Sequence, residues 1–212
     1  MEHRGRRRAR PSGDKLEESI LIGAERLLQE RPWASLSIED LAASAGLSRP
    51  AFYFYFSSKD DVLLALLDKV IGEVDDRVAL LSRDIASDPA AAWRRAIGAF
   101  VDVFSSHRGV AVATLGARFH NPKVDELWSN SMTTWVGYAS EAIAAERERG
   151  AAPGGVEPHD LATALNLMNE RVLSAAFLAE SPRIERSEVL DVLTTIWMRG
   201  IYGQPVDSSP GR

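Results

Sequence analysis

Apolar residues recur three and four positions apart along most of this chain, and that spacing predicts α-helices. No stretch alternates apolar and polar residues long enough to predict a sheet, so we expect an all-α protein. Short helices should come first and longer ones afterwards. The expected ranges are 14–29, a helix pair within 37–56, 59–81, 87–106, 110–117, 122–149, 159–179 and 187–202.

Residues 37–56 are predicted to form a helix-turn-helix, whose second helix fits the major groove of DNA. Ser37 is placed to cap the first helix, and Asp40 three positions later suits a capping box. Gly46 adopts positive φ at little cost, so it can end that helix and turn the chain. Ser48 then caps the second helix, which ends in an aromatic run.

Three short motifs resemble the TetR family of bacterial repressors: Ala45-Gly46-Leu47-Ser48, Phe52-Tyr53-Phe54-Tyr55-Phe56 and Ser58-Lys59-Asp60. The resemblance implies a TetR-like fold, with an N-terminal three-helix DNA-binding domain and a C-terminal helical domain for ligand binding and dimerisation. The corresponding ranges are a disordered basic arm at 1–13, the DNA-binding domain at 14–60, the ligand-binding and dimerisation domain at 61–203 and a disordered tail at 204–212.

The second helix of the motif carries the candidate DNA contacts. A guanidinium can pair with guanine O6 and N7, so Arg49 is the candidate for reading a base edge. Tyr53, Tyr55 and Lys59 are expected to hold phosphates, whereas Phe52 and Phe56 pack the small domain. Ala51 stands where the family usually has threonine. The predicted interface is Ser48, Arg49, Pro50, Ala51, Tyr53, Tyr55 and Lys59.

The net charge of −5 is unevenly distributed: residues 1–60 carry +1 and residues 61–212 carry −6. Residues 1–13 hold five arginines against one glutamate, so this arm either neutralises phosphates or is a solvated tail. The chain has no cysteine, which excludes disulfides and thiolate metal sites. No targeting or membrane-spanning segment is recognisable, and we expect a cytoplasmic protein without cofactor or metal.

A second site is predicted from aromatic side chains that share helix faces, together with two asparagines among leucine and methionine. Spacing alone is also compatible with an ordinary core. Segments such as 126–129 and 161–171 are similar to a narrower group of repressors within the TetR family, whose matching residues line a long apolar channel. The resemblance implies a ligand channel formed by Trp93, Phe100, Phe104, Trp128, Met132, Trp135, Tyr138, Asn166, Asn169 and Trp197, with Asn169 as the main hydrogen-bonding partner.

The expected function is a repressor that an apolar effector releases from operator DNA. The same resemblance implies a homodimer through the last two helices, where small residues would allow close approach: Ala162, Ala175, Ala176 and Ala179.

The alternatives are an architectural DNA-binding protein with a solid core, and an efflux-gene repressor for cationic drugs, which would need acidic walls. The acidic residues are expected at the surface, and Glu170 is expected to point away from Asn169. No catalytic residue is predicted, because the four histidines lack metal-ligand spacing and no nucleophile motif occurs.

Overall fold

The computed structural model of the chain describes residues 13–78 and 85–203, and every regular element in these ranges is helical. The helices are α1 Gly13–Glu30, α2 Ile38–Ser44, α3 Arg49–Phe52, α4 Lys59–Val78, α5 Pro89–Ser106, α6 Arg108–Ala117, α7 Pro122–Glu148, α8 Pro158–Leu178 and α9 Arg186–Tyr202. The chain divides into two compact units after Leu66, within α4. The predicted arm and tail lie outside the described residues, except that Gly13 begins α1.

The all-α prediction is confirmed, and the long helices begin and end within two residues of the expected positions. The expected end of α4 at Leu81 lies outside the described residues. Short polar side chains explain the sharp starts: Asp88 accepts the N–H of Ala91 before α5, and Asn121 accepts two N–H groups at the start of α7. No helix in the described ranges has the length and apolar character needed to cross a membrane.

The helix-turn-helix forms in the N-terminal unit as predicted. The Ser37 hydroxyl accepts the N–H of Asp40 at 3.1 Å, and the Asp40 carboxylate accepts the N–H of Ser37 at 2.8 Å, which completes a capping box. Gly46 has φ 70°, the left-handed conformation that the turn requires. Ser48 accepts the N–H of Ala51 at 3.3 Å and so caps α3.

Regular helix ends at Phe52, so α3 is short and the rest of the aromatic run forms turns. The unit is held together by fully buried side chains from α1, α2 and α3, namely Ile20, Leu41 and Phe52. A Cβ at Gly23 would lie 2.1 Å from the Ser44 hydroxyl oxygen, so the close packing of α1 on α2 requires glycine there.

We expect the N-terminal unit to lose stability as the pH falls from about 4 to about 2. The backbone N–H of Ser37, its hydroxyl and the Arg31 guanidinium lower the pKa of Asp40 from 3.8 to about 2. Because the folded state favours the ionised form of Asp40, the carboxylate stabilises the fold above pH 3.8. That stabilisation is lost as the pH falls towards about 2 and Asp40 becomes protonated. The check is the thermal midpoint by circular dichroism at pH 5, 4, 3 and 2. Asp40→Asn should start lower at pH 5 and decline less; parallel curves for the two proteins would contradict this role.

The second unit packs α7 against α8 and α5 against α9. Each of these helices contributes side chains with almost no exposed surface, including Ile97, Val103, Ile143, Leu193 and Ile201. Between these layers the aromatic faces of α5 and α7 and the two asparagines of α8 turn towards a shared interior. The fold therefore brings together residues more than 100 positions apart in the chain.

The small residues predicted for a dimer interface are placed differently. Ala162, Ala175 and Ala176 are at most 5% exposed within the single chain, so these three cannot face a second copy. Ala179 is exposed, but it lies just after the last residue of α8, where it adopts the left-handed backbone conformation with φ 53°. For these three alanines, the close packing that their small size predicts occurs within the chain, where α6, α7 and α9 pack against α8.

Candidate nucleic-acid interface and ligand channel

The second helix of the motif presents an exposed face. Ser48, Arg49, Pro50 and Tyr53 are exposed, and Ala51 and Tyr55 are half-buried. Phe54 is 87% exposed, whereas Phe52 and Phe56 are buried, as predicted for packing residues. This face therefore offers one guanidinium on α3, which is only four residues long, and two phenol groups and an exposed aromatic ring on the turn that follows it.

Arg49 is held in place before any partner arrives. Its guanidinium forms an ion pair with Glu39 of α2 and lies 3.4 Å from the Tyr53 hydroxyl. The hydrogen bond to Tyr53 and the charge of Glu39 raise the pKa of Arg49, so the group remains a cation. A base edge or phosphate that binds Arg49 must compete with Glu39 for these N–H groups.

Lys59 is engaged differently from the predicted phosphate contact. Its ammonium donates to the backbone oxygens of Trp33 at 2.8 Å and Leu36 at 2.9 Å, and it lies 4.9 Å from the centre of the Trp33 ring. Burial lowers the pKa of Lys59. These contacts favour a role in fixing the start of α4 against the segment before α2.

Two adjoining cavities lie inside the second unit. The larger has a volume of about 510 Å³ and the smaller about 50 Å³. Four side chains line both cavities and mark the junction between them: Phe100, Trp135, Asn166 and Asn169. The walls are predominantly apolar, which is typical of a site for an apolar small molecule.

All ten residues predicted for the channel line one or both cavities. The larger is lined by Trp93, Phe100, Trp135, Tyr138, Asn166, Asn169 and Trp197. The smaller is lined by Phe100, Phe104, Trp128, Met132, Trp135, Asn166 and Asn169. These ten residues therefore lie around the two cavities, and their role in binding a ligand stays a prediction.

Each of the four tryptophans in this unit donates its indole N–H to a different side chain. The acceptors are the Tyr202 hydroxyl for Trp93 at 3.1 Å, Glu170 for Trp128 at 3.0 Å, Asp75 for Trp135 at 2.7 Å and Asn169 for Trp197 at 3.0 Å. The rings are thus fixed in orientation, and their N–H groups are already used. The indoles consequently offer a ligand apolar surface and ring faces.

The two asparagines present complementary groups. Because the Asn169 oxygen accepts the Trp197 N–H, its amide nitrogen is the group left for another partner. Asn166 donates its amide nitrogen to the backbone oxygen of Ala162 at 2.9 Å, which leaves its side-chain oxygen. Neither remaining group has a partner within the described residues. The junction of the cavities therefore offers one donor and one acceptor.

Titratable groups lie closer to the channel than the sequence predicted. Glu170 lines the smaller cavity, where it accepts from Arg118 at 2.5 Å as well as from Trp128, so the expectation that it points away from Asn169 is wrong. The reason is that α8 is covered around most of its circumference. Among the described residues, no group of three or more His, Cys, Asp or Glu is placed to hold a metal ion.

Glu146 also departs from the expectation that acidic residues lie at the surface. It is 1% exposed and accepts from Arg149 at 2.5 and 2.6 Å and from the Tyr202 hydroxyl at 2.7 Å. The Arg149 hydrogen bonds hold the pKa of Glu146 below its usual range, while burial raises that of Tyr202. Through Tyr202 this network reaches Trp93 and supports the end of the larger cavity.

Among the channel residues that sequence reasoning missed, Arg118 and Thr114 line the smaller cavity, and Asp75 and Tyr202 hold wall tryptophans by their N–H groups. Asp75 and Tyr202 each lie on a helix other than that of the tryptophan they hold, so no local spacing could reveal them. One signal was available for Thr114: it is a hydroxyl within the otherwise apolar stretch of α6.

Two family models match the chain. Residues 20–66 match bacterial regulatory proteins of the tetR family, and residues 93–203 match the C-terminal domain of the transcriptional regulator EthR. The HTH-type transcriptional regulator EthR of Mycobacterium tuberculosis is 50% identical over 202 residues, covering 95% of this chain and 94% of that protein. The regulator of the same name from Mycolicibacterium smegmatis is 46% identical and covers 94% and 92%.

Solved structures agree in fold. A TetR transcription regulator from Haloarcula marismortui superposes with a TM-score of 0.72 at 19% identity, covering 89% of this chain and 97% of that one. The fatty acid degradation regulator FadR from Bacillus halodurans gives 0.73 at 15% identity, covering 92% and 98%. At these identities the likeness concerns the fold alone.

Proposed function

Because this chain belongs to the TetR family of bacterial transcriptional regulators and is EthR-like, we propose that an apolar small molecule in the channel releases it from operator DNA. The observation that carries the proposal is the cavity of about 510 Å³, walled by indoles whose N–H groups are satisfied within the protein. Side chains that only form a core pack closely and do not leave an apolar pocket of this size.

The effector has an apolar body and one hydrogen-bonding head. The donor of Asn169 and the acceptor of Asn166 lie at the junction of the cavities, so a secondary amide, which accepts through its oxygen and donates through its N–H, is the head that satisfies both. The surrounding surface is aromatic and aliphatic, which favours rings or alkyl chains on both sides of that group.

The DNA contacts follow from the exposed residues of α3 and of the turn after it. Arg49 reads a base edge, and Tyr53 and Tyr55 position phosphates. Two copies present their reading helices to successive major grooves about 34–36 Å apart. We assign dimerisation to α8 and α9, where Leu167, Leu178 and Ile196 are between 41% and 53% exposed. The buried alanines named above take no part in that interface.

The path from channel to DNA runs through Trp135. Of the four fixed indoles, Trp135 is the one bound to α4, through Asp75, and it lines both cavities. A ligand that spans the junction must displace this ring or press on it. The helix it holds continues without interruption to Lys59. A ligand shifts the equilibrium only by its differential affinity for the two states of the protein.

The alternatives are less well supported. An architectural DNA-binding protein would have no use for the larger cavity. A sensor of cationic drugs requires strongly acidic walls, whereas the acidic residues that line the two cavities are Glu141 and Glu170, and Glu170 is paired with Arg118. An enzyme would need a placed acid–base pair or nucleophile at the channel, and the relatives named above are transcriptional regulators.

The test begins by selecting a binding site from a pool of random DNA duplexes with the full chain. The selected duplex is then titrated at fixed salt with and without N-benzyloctanamide, which carries an amide between a ring and an alkyl chain. We expect operator affinity to fall about tenfold or more. Calorimetry without DNA measures binding of the amide. Amide binding with unchanged operator affinity would contradict the proposed coupling, and a pool that yields no sequence would contradict repression.

Replacing the base-reading residue should weaken this binding moderately. We expect Arg49→Ala to reduce affinity for the selected duplex about tenfold, which is a small loss for a residue that reads a base edge. The loss is small because Arg49 is already paired with Glu39 in the protein without DNA. Glu39→Gln removes that competitor and should strengthen binding. Fluorescence anisotropy on the selected duplex and its single-base variants checks both. An equal loss on every variant would make Arg49 a phosphate contact.

A further inference from the structure

Thr114 has no evident purpose in a packed core. It lies on α6, is 2% exposed and lines the smaller cavity. Its hydroxyl oxygen is buried and has no hydrogen-bond partner among the residues that the structure describes. A threonine on a helix usually donates to the carbonyl four residues earlier, as Thr163 and Thr194 do here. Leaving a buried hydroxyl unpaired is unfavourable, and an isosteric valine would avoid it.

The other polar groups of the smaller cavity are already engaged. Arg118 binds Asp125 and Glu170, Glu170 also accepts from Trp128, and the Ser174 hydroxyl donates to a backbone oxygen at 2.7 Å. The two asparagines line both cavities and so belong to the junction. Thr114 lines only the smaller cavity, and among the described residues its hydroxyl is the polar group left without a partner there.

We propose that Thr114 is a second polar anchor and that the effector carries a hydroxyl or carbonyl group at the end that enters the smaller cavity. This inference rests on the proposed function, because it concerns the same channel. The proposed effector is therefore an elongated molecule with a hydrogen-bonding group in the middle, apolar groups on both sides of it and a polar group at one end. Since a hydroxyl both donates and accepts, Thr114 suits either kind of tip.

The test compares two probes that differ at one end, N-benzyloctanamide and N-benzyl-8-hydroxyoctanamide. The smaller cavity, about 50 Å³, is the narrower one, so the alkyl end is expected to enter it. Calorimetry gives the affinity of each probe for the full chain and for Thr114→Val, which keeps the shape and removes the hydroxyl. In the variant, the hydroxyl-tipped probe loses its partner while the methyl-tipped probe does not.

We expect the ratio of the two affinities, hydroxyl-tipped over methyl-tipped, to fall about tenfold in Thr114→Val. Thr114→Ser keeps a hydroxyl and should retain the ratio of the unmodified chain. A purely structural role would change both affinities equally and leave the ratio constant, which would overturn the anchor while the channel stands. If neither probe binds the unmodified chain, both the anchor and the proposed channel are wrong.

Discussion

Phe52→Ala is expected to lower the free energy of unfolding of the N-terminal unit by about 3–5 kcal/mol and with it to abolish DNA binding. The side chain has no exposed surface and lies between two other rings, with centroid distances of 5.8 Å to Tyr53 and 6.0 Å to Phe56. Its removal leaves a cavity where α3 joins α2, because so short a helix cannot relax into the space. Urea denaturation and amide hydrogen exchange over residues 38–56 measure the loss.

Phe54→Ala is the matched control, two positions away on the same run. This ring is 87% exposed, so its removal should change stability by less than about 0.5 kcal/mol. Any loss of DNA affinity in this variant then reports on the binding face rather than on folding. If the two substitutions lowered the free energy of unfolding equally, Phe54 would be buried as Phe52 is, contrary to the structure.

Features that depend on neighbouring residues were predictable from the sequence. The capping box needs only Ser37 and Asp40 at the right spacing, and the turn needs only a residue that accepts positive φ, as Gly46 does. The burial of Phe52 and Phe56 and the exposure of Arg49 follow from the same helical period. The aromatic side chains of the predicted channel recur on single helix faces, but that spacing was also compatible with an ordinary core, and the assignment to a channel came from the resemblance to a group of repressors.

Features set by distant parts of the chain were not predictable. The contacts of Lys59 lie 23 and 26 residues away, and the acceptor of the Trp135 N–H lies 60 residues away. The alanines of α8 were assigned to a partner copy because small size indicates close packing without saying which helix approaches. Glu170 was placed outside because charge suggests solvent, whereas Arg118 and Trp128 stabilise it at the cavity.

The channel combines an apolar surface with few free polar groups, and the indole hydrogen bonds explain how. Each of the four tryptophans donates its indole N–H to a side chain on another helix. This hydrogen bond orients the ring, and it leaves the indole with no free N–H to offer a ligand. Under the proposed function, recognition depends on the asparagines at the junction. Asn169 would then have two tasks, since its oxygen fixes Trp197 and its nitrogen is the group left to bind the ligand.

Asn169→Ala should therefore impair both ligand affinity and stability. We expect affinity for N-benzyloctanamide to fall about 100-fold, because the carbonyl of the probe enters the junction without its donor. We expect the free energy of unfolding to fall by about 1–3 kcal/mol, because the Trp197 N–H, in a side chain that is 3% exposed, loses its acceptor. Calorimetry gives the affinity and urea denaturation gives the stability.

Trp197→Phe separates the two tasks of Asn169. It retains a ring in the wall and removes the N–H, so the nitrogen of Asn169 still faces the junction while the bond that orients the amide is gone. This variant should lose stability but keep the affinity for the amide within about tenfold, a smaller loss than that in Asn169→Ala. If Asn169→Ala lowers stability and leaves the affinity intact, the amide serves only to hold Trp197, and the hydrogen-bonding head of the effector must bind elsewhere in the channel.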